Sequence, residues 1–403
     1  MLNITGSPVE GDNFFGREEE LGRLRRALEA GNHVLLLGPR RVGKSSLVAE
    51  ISRLLSNDGW SVVTLDVQHV ADEAAFLHEL LDSLKRSDVE LPVLTHIEGA
   101  VTAFRRMFRG TRVKGAGIEI NIGDEPADWE TAAGELRKLI PTLSGNARRM
   151  MIAVDELPVF LSKLLAESDG VERVRRMLDW LRSIRQACGT SLPWLLCGSI
   201  GLDSFVDRHS LSSTINELQP QTIGAFDEET AVQCLHRLAN SAPYTLHLTA
   251  DVAREMIQRV GWPIPYYLQL MFHALVELPQ AQRSQSYPAV ADIEAAYQTL
   301  LGPHHRSHFA HWDSRLGDLL NPQELNRVRT ILKHLCGLPE GSEHGVLLNV
   351  LAAESPHADT RALDRELRDL LEFLERDGYL IRIGDTFAFR SFLLRDYWKK
   401  RFA

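Results

Sequence analysis

Residues 38–45 read Gly-Pro-Arg-Arg-Val-Gly-Lys-Ser. The spacing G-x-x-x-x-G-K-[ST] is what a phosphate-binding loop needs. A loop of this length leaving a strand turns its backbone N–H groups inward. Its glycines permit close approach and unusual φ angles. In such a loop Lys44 neutralises the β- and γ-phosphates, and the Ser45 hydroxyl ligates Mg²⁺. The helix that follows adds its positive N-terminus. Gly38, Pro39, Arg40, Arg41, Val42, Gly43, Lys44, Ser45 and Ser46 therefore form a candidate cradle, with ATP or ADP and Mg²⁺ as its ligands.

An acidic strand end should complete this chemistry. Met150–Val154 is an apolar run of strand length followed by Asp155 and Glu156. Asp155 is the second candidate Mg²⁺ residue, and Glu156 the group that orients and polarises an attacking water. An Asp-Glu pair can also simply open a helix, favoured by its dipole. The phosphate loop upstream decides for the catalytic reading. A third run, Trp194–Cys197, ends in Gly198-Ser199. Ser199 would touch the γ-phosphate or the water, or else serve only a turn.

These residues need a scaffold, and the pattern supplies one. His33–Leu37, Ser61–Val67, Met150–Val154, Trp194–Cys197 and Gln219–Ile223 read as strands. Glu18–Ala30, Lys44–Leu55, Glu73–Lys85, Val101–Phe108 and Thr131–Leu143 read as helices, and 112–123 as a hairpin. Such alternation indicates an α/β P-loop core with a mostly parallel sheet over residues 1–225. The chain then changes character. Glu228–Ala239, Ala250–Val260, Tyr266–Leu278 and Val290–Leu301 are helical, an all-α lid over residues 226–302. Residues 303–320 form a connection. Pro322–Leu335, Leu347–Ala353 and Arg361–Glu375 are helices followed by a hairpin, a winged-helix domain over 321–403.

The bulk composition agrees. The 403 residues suggest two or three domains, with 44% hydrophobic and 25% charged residues. No apolar run approaches the roughly 20 residues of a membrane span, and the N-terminus has neither a basic start nor an apolar signal segment. The four cysteines form no CxxC pair. A cytoplasmic protein with reduced thiols is expected. The net charge of −9 argues against a surface that coats nucleic acid throughout.

Phe15-Gly16-Arg17-Glu18, GPRRVGKSS, the VDE strand, LLCGS and the ending DGYLIRIGDTFAFRSFLLRDYW together resemble the archaeal-type ATPases. These belong to the STAND and AAA+ side of the P-loop NTPases. The resemblance spans nearly the whole chain, the hairpin at Val113–Ile122 included. It implies an ASCE-type ATPase core, a helical lid and a C-terminal winged helix. It also implies that Arg17 lies by the adenine or ribose, and that Gly261-Trp262-Pro263 is the lid's G-x-P signature with Pro263 near the base. Two departures stand out. GWPIPYYLQLMFHAL carries no arginine to reach a γ-phosphate, and no Gly-Arg pair follows the Gly-Ser strand. Arg208 is the nearest candidate arginine finger, or else a solvated helix residue.

Weaker signals keep their alternatives. Arg105, Arg106, Arg109, Arg112 and Lys114, with Phe104 and Phe108, fit a nucleic-acid backbone, a subunit contact or a solvated face. His304, His308 and His311 share a helical face, for a metal or for packing beside Phe309 and Trp312. Thr360–Arg376, the candidate recognition helix of the winged domain, holds more acids than bases, so a winged helix used for protein contact or for reporting nucleotide state fits at least as well as one that reads DNA. The leading expectation is an ATP-dependent switch with slow or gated hydrolysis, possessing a protein partner or forming homo-oligomers. The alternatives are a DNA-acting ATPase and a nucleotide-bound scaffold in a bacterial defence complex.

Overall fold

The computed structural model describes residues 1–87, 129–143, 148–198, 201–241, 244, 246–279, 287–355, 357 and 359–402. The helix at Val101–Phe108, the hairpin at Val113–Ile122 and the basic cluster from Arg105 to Lys114 lie outside the described residues, as does Ser199. The chain divides into two compact units, residues 17–37 with 47–222, and residues 1–16 with 38–46 and 223–403.

The first unit carries α1 (Glu18–Glu29), β1 (Val34–Leu37), most of α2 (Lys44–Asn57), β2 (Ser61–Asp66), α3 (Glu73–Arg86) and α4 (Trp129–Leu143). β3 (Met150–Asp155), α5 (Leu157–Leu165), α6 (Gly170–Cys188), β4 (Trp194–Cys197), α7 (Leu202–Arg208) and β5 (Gln219–Thr222) follow. The strands form one parallel sheet in the order β2-β3-β4-β1-β5. β1, β3 and β4 are near-continuous apolar runs because helices cover both faces of such a sheet. The expected α/β core with an ASCE-type strand order is present. Register fixes which residues neighbour one another: Val154 pairs with Leu196, and Leu36 with Cys197. β5 is different in kind, a polar Gln-Pro-Gln-Thr strand at the sheet edge. An edge is where a strand tolerates proline, which lacks a donor.

The core beside this sheet is mainly aliphatic, with an aromatic group within it. Phe76 stacks on Phe160 at 5.1 Å, and the Trp180 indole N–H donates to the Ala133 carbonyl at 2.8 Å. Arg185 is fully buried, and Glu217 answers it at 2.6 Å. Burying that guanidinium pushes its pKa down, and Glu217 opposes the shift.

The second unit holds α8 (Glu228–Ala239), α9 (Ala250–Val260), α10 (Pro265–Val276) and α11 (Val290–Leu300), the helical lid. α8 and α9 start on side-chain caps, Asp227 accepting from the Thr230 amide and Thr249 from the Val252 amide. The connection is itself helical, α12 (Ser307–Leu319). The winged helix then runs α13 (Pro322–Leu335), β6 (Ser342–Glu343), α14 (His344–Glu354), α15 (Thr360–Arg376), β7 (Leu380–Ile383) and β8 (Thr386–Phe389). Its sheet order is β6-β8-β7. Ile383 pairs with Thr386 across a two-residue turn in which Gly384 takes φ 62, the left-handed conformation such hairpin turns need. A closing helix, α16 (Phe392–Phe402), follows the hairpin. Among the described residues no helix is long and apolar enough to cross a membrane.

α12 is fastened to the winged helix by buried polar groups. The Arg315 guanidinium donates to Asp377 at 2.8 Å with both side chains buried, and the Tyr379 hydroxyl donates to the Trp312 carbonyl at 2.6 Å. Removing one member of a buried ion pair leaves the other charge uncompensated. Asp377→Ala is therefore expected to destabilise the protein by about 3–5 kcal/mol. Denaturant unfolding followed by tryptophan fluorescence will read this, and a loss within experimental error of zero would contradict it.

Candidate functional site

The loop after β1 begins under a steric constraint. At Gly38 the backbone takes φ 156, and a Cβ there would sit 2.3 Å from the Ile223 carbonyl oxygen. No side chain fits so close a crossing. Gly43 also has positive φ, at 101, but a Cβ there would meet nothing within 4 Å. The space beside it is open, as a cradle for a ligand requires. Arg41 adopts φ 68, which for a residue with a Cβ costs about 1–3 kcal/mol.

Lys44 opens α2, and its ammonium folds back over the loop. Nζ donates to the Gly38 and Pro39 carbonyls, each at 2.7 Å. The side chain is buried. The loop thus closes around a lysine at the positive end of a helix, an arrangement that suits an anion. The Ser46 hydroxyl accepts from the Val9 amide at 3.1 Å, which ties the N-terminal segment to the loop. Arg41 reaches outward, its guanidinium carbon 4.4 Å from the centroid of the Tyr266 ring in α10.

Asp155 ends β3 in the first unit. Its Oδ1 accepts two donors, the Glu156 amide at 2.9 Å and the Cys197 thiol at 3.0 Å. Oδ2 takes no partner among the described residues. Cys197 reaches Asp155 because β4 lies beside β3 in the sheet. Glu156 has φ 60 and stands at the N-cap of α5. Its carbonyl accepts the Val159 and Phe160 amides. Gly198 is pressed against this junction, since a Cβ there would lie 2.5 Å from Pro158 Cδ and 3.4 Å from Glu156 Cα. Asp155 is thus held by two donors on one oxygen at the carboxyl end of the sheet.

The remaining expected residues fall as follows. Arg17 is buried at the N-cap of α1 and ion-paired with Glu20 at 2.8 Å. Phe15 packs edge-on against Phe226 at 6.4 Å, and a Cβ on Gly16 would meet Thr230 at 2.6 Å. Gly261 takes φ 78 as the C-cap of α9, Trp262 is buried, and the Pro263 carbonyl accepts the Phe226 amide at 3.1 Å. Arg208 is the exposed last residue of α7.

The histidines do not line one helical face. His304 and His305 belong to a separate short turn, Pro303–His305, because Pro303 opens a turn ahead of α12. His308 bonds the Tyr266 hydroxyl through Nδ1 at 3.1 Å, and His311 sits edge-on to the same ring at 6.5 Å. Among the described residues no group of three or more His, Cys, Asp or Glu could hold a metal ion. The sequence reading did not single out Cys197, Gly198 or Tyr266. Only the last position of an apolar run marked Cys197, and only its place after Gly261-Trp262-Pro263 marked Tyr266.

His311 is pushed down to about 3, first by burial and then by Arg40 and Arg41. It is neutral in the folded protein and, once unfolded, takes up a proton near 6.5. Between those values the unfolded state binds more protons, so stability falls as the pH drops from about 6.5 towards 3. His311→Asn is expected to flatten this part of a pH–stability curve measured by denaturant unfolding. An unchanged slope would mean that His311 is not a source of the acid sensitivity.

Comparison with known proteins fits this geometry. Residues 13–183 match the family model described as AAA ATPase domain. No curated protein sequence matches. The fold is shared with the Walker-type ATPase PABY2304 of Pyrococcus abyssi, at 17% identity and TM-score 0.62, over 99% of this chain and 100% of that one. It is shared also with the Aeropyrum pernix ORC2 protein, solved as ADPNP–ADP complexes, at 14% identity and TM-score 0.58, over 99% of this chain and 95% of that one. The family model and the fold bear out the resemblance to archaeal-type ATPases of the AAA+ class. Residues 13–183 are thus similar to an AAA ATPase domain, and the fold is that of P-loop ATPases.

Proposed function

We propose that this protein binds ATP at the loop 38–46 and hydrolyses it slowly or under control, using the nucleotide to set the position of its winged helix, its assembly or its hold on a partner. The observation that carries the reading is the closure of the loop around Lys44 at the start of α2, beside the open space at Gly43. The Aeropyrum relative, whose solved complexes hold ADPNP and ADP, supports the same ligand class. The division into core, lid, connecting helix and winged helix at residues 225, 302 and 320 is part of this proposal.

In this reading Lys44 neutralises phosphate charge as it moves between oxygens, and the loop amides and the α2 N-terminus hold the β-phosphate. The hydroxyl of Ser45 and the carboxylate of Asp155 are hard oxygen donors, the kind that Mg²⁺ selects. They would hold the ion, which when bound supplies charge neutralisation at the phosphate oxygens. The donors on Oδ1 of Asp155 keep that carboxylate in one orientation. Glu156 accepts the proton of the attacking water. Arg17 and Pro263 are assigned to the base and ribose, and Ser199 to the γ-phosphate. The lid segment supplies no arginine, so fast turnover needs one from elsewhere, and exposed Arg208 is the candidate from a second copy. An arginine supplied in this way is worth about 10³–10⁵ in rate. The four cysteines are buried and form no disulfide, and in this reading the protein works in a reducing cytoplasm.

Two substitutions test the site. Lys44→Ala is expected to weaken binding of a fluorescent ATP analogue at least about a hundredfold, since it removes the central charge-assisted contact. Glu156→Gln should bind ATP as the wild type does while losing about 10² or more in hydrolysis. Normal turnover by Glu156→Gln would remove the assigned base. Specific activity should rise with protein concentration and collapse in Arg208→Ala. Stimulation by duplex DNA with a steep salt dependence would instead favour a DNA-acting ATPase.

A further inference from the structure

The outward face of the loop is gripped within the second unit by groups that belong neither to the cradle nor to the catalytic pair. Arg41 lies over the Tyr266 ring at 4.4 Å. The Tyr266 hydroxyl meets His308 Nδ1 at 3.1 Å, and His308 belongs to α12. One turn further along α12, the Trp312 carbonyl accepts the Tyr379 hydroxyl, and Arg315 pairs with Asp377. Between those two winged-helix residues stands Gly378, with φ 88. A Cβ there would fall 2.9 Å from Cβ of Pro39 and 2.8 Å from the Trp262 ring. The Pro39 carbonyl, in turn, accepts the Lys44 ammonium.

The loop is therefore touched at two points, Pro39 and Arg41, by one connected assembly. Contact at Pro39 comes directly from the turn Asp377–Gly378. Contact at Arg41 comes through Tyr266 and His308. Both routes end at the turn that joins α15 to β7 in the winged helix. A change in the loop's backbone on exchanging ATP for ADP cannot shift Pro39 or Arg41 without also displacing packed, buried neighbours, because close-packed cores shift between discrete arrangements.

Resting on the nucleotide reading above, we infer that Tyr266 is a positioning residue for the phosphate loop, and that the chain Arg41–Tyr266–His308–α12 carries nucleotide state to the turn Asp377–Gly378 of the winged helix. Its two halves have separable duties. The ring of Tyr266 holds Arg41 by cation–π attraction and so supports nucleotide binding. Its hydroxyl joins the ring to His308 and so supports transmission.

The test is amide hydrogen exchange of peptides covering residues 307–319 and 377–380 on the full chain, with ADP and with a non-hydrolysable ATP analogue. Affinities for both are measured by fluorescence in parallel. The wild type is expected to exchange differently in the two nucleotides. His308→Ala should bind both within about twofold of wild type yet show no difference between them. Tyr266→Leu should lose about tenfold in affinity for the ATP analogue. Tyr266→Phe should recover that affinity without recovering the difference in exchange, a split that simple loss of folding would not produce. Equal exchange of the wild type in both nucleotides would overturn the relay, as would a retained difference in His308→Ala and Tyr266→Phe. Failure of the wild type to bind either nucleotide would overturn the ATP reading itself, and the relay with it.

Discussion

The crossing of Gly38 under the Ile223 carbonyl is the constraint on which the rest hangs. At 2.3 Å from a would-be Cβ, the backbone leaves no room for any side chain. The chain enters the loop at this point, beside the segment that departs from β5. Lys44 then anchors on the carbonyls of the first two loop residues, so the shape of the loop is set from its entry. Pro39, the next residue, is held from outside by Gly378, another position where only hydrogen fits. Two glycines far apart in sequence thus bracket the same stretch of backbone, and the intervening chemistry depends on both.

The electrostatics follow from this geometry. Three cations, Arg40, Arg41 and Lys44, fall within five residues of a chain whose net charge is −9. Lys44 turns to backbone carbonyls, and Arg41 turns to the face of an aromatic ring, whose negative quadrupole accepts a cation. Neighbouring titratable groups adjust by staying neutral. Burial raises Tyr266, with Arg41 and Arg40 pulling the other way, while burial and then the same arginines lower His311. A neutral tyrosine and a neutral histidine can lie against two guanidiniums without repulsion, which a protonated histidine could not.

Much of this was legible in the sequence. The phosphate loop, the strand ending in Asp155, and helices such as Ala250–Val260 and Pro322–Leu335 carry local signals: glycine spacing, an apolar run, or a cap at Thr249 or Asn321. Elements without such punctuation were missed. α5 starts on a left-handed Glu156 with no side-chain cap, and α6 starts after Asp169 with none either, although Val174, Met177, Leu178, Leu181 and Ile184 show helical spacing. α16 was missed because its lysines and arginine hide the apolar face of Leu393, Leu394, Tyr397 and Trp398. In the candidate site, Asp155 was legible but its thiol partner was not. That pairing exists only because β4 lies beside β3, a fact of strand order rather than of local pattern. The stacking of Arg41 on Tyr266 joins segments more than two hundred residues apart, beyond the reach of any spacing rule.

The edge strand β5 has a consequence for how copies of this protein can meet. The Gln219 amide donates inward to His33, and donors alternate along a strand, so the ring nitrogen of Pro220 faces away from the sheet. The outer border therefore lacks a donor in its middle. A strand from another chain cannot zip along it with a full ladder. β5 acts as a selvedge that finishes the fabric, and it turns association between molecules away from strand addition at this border and towards side-chain surfaces.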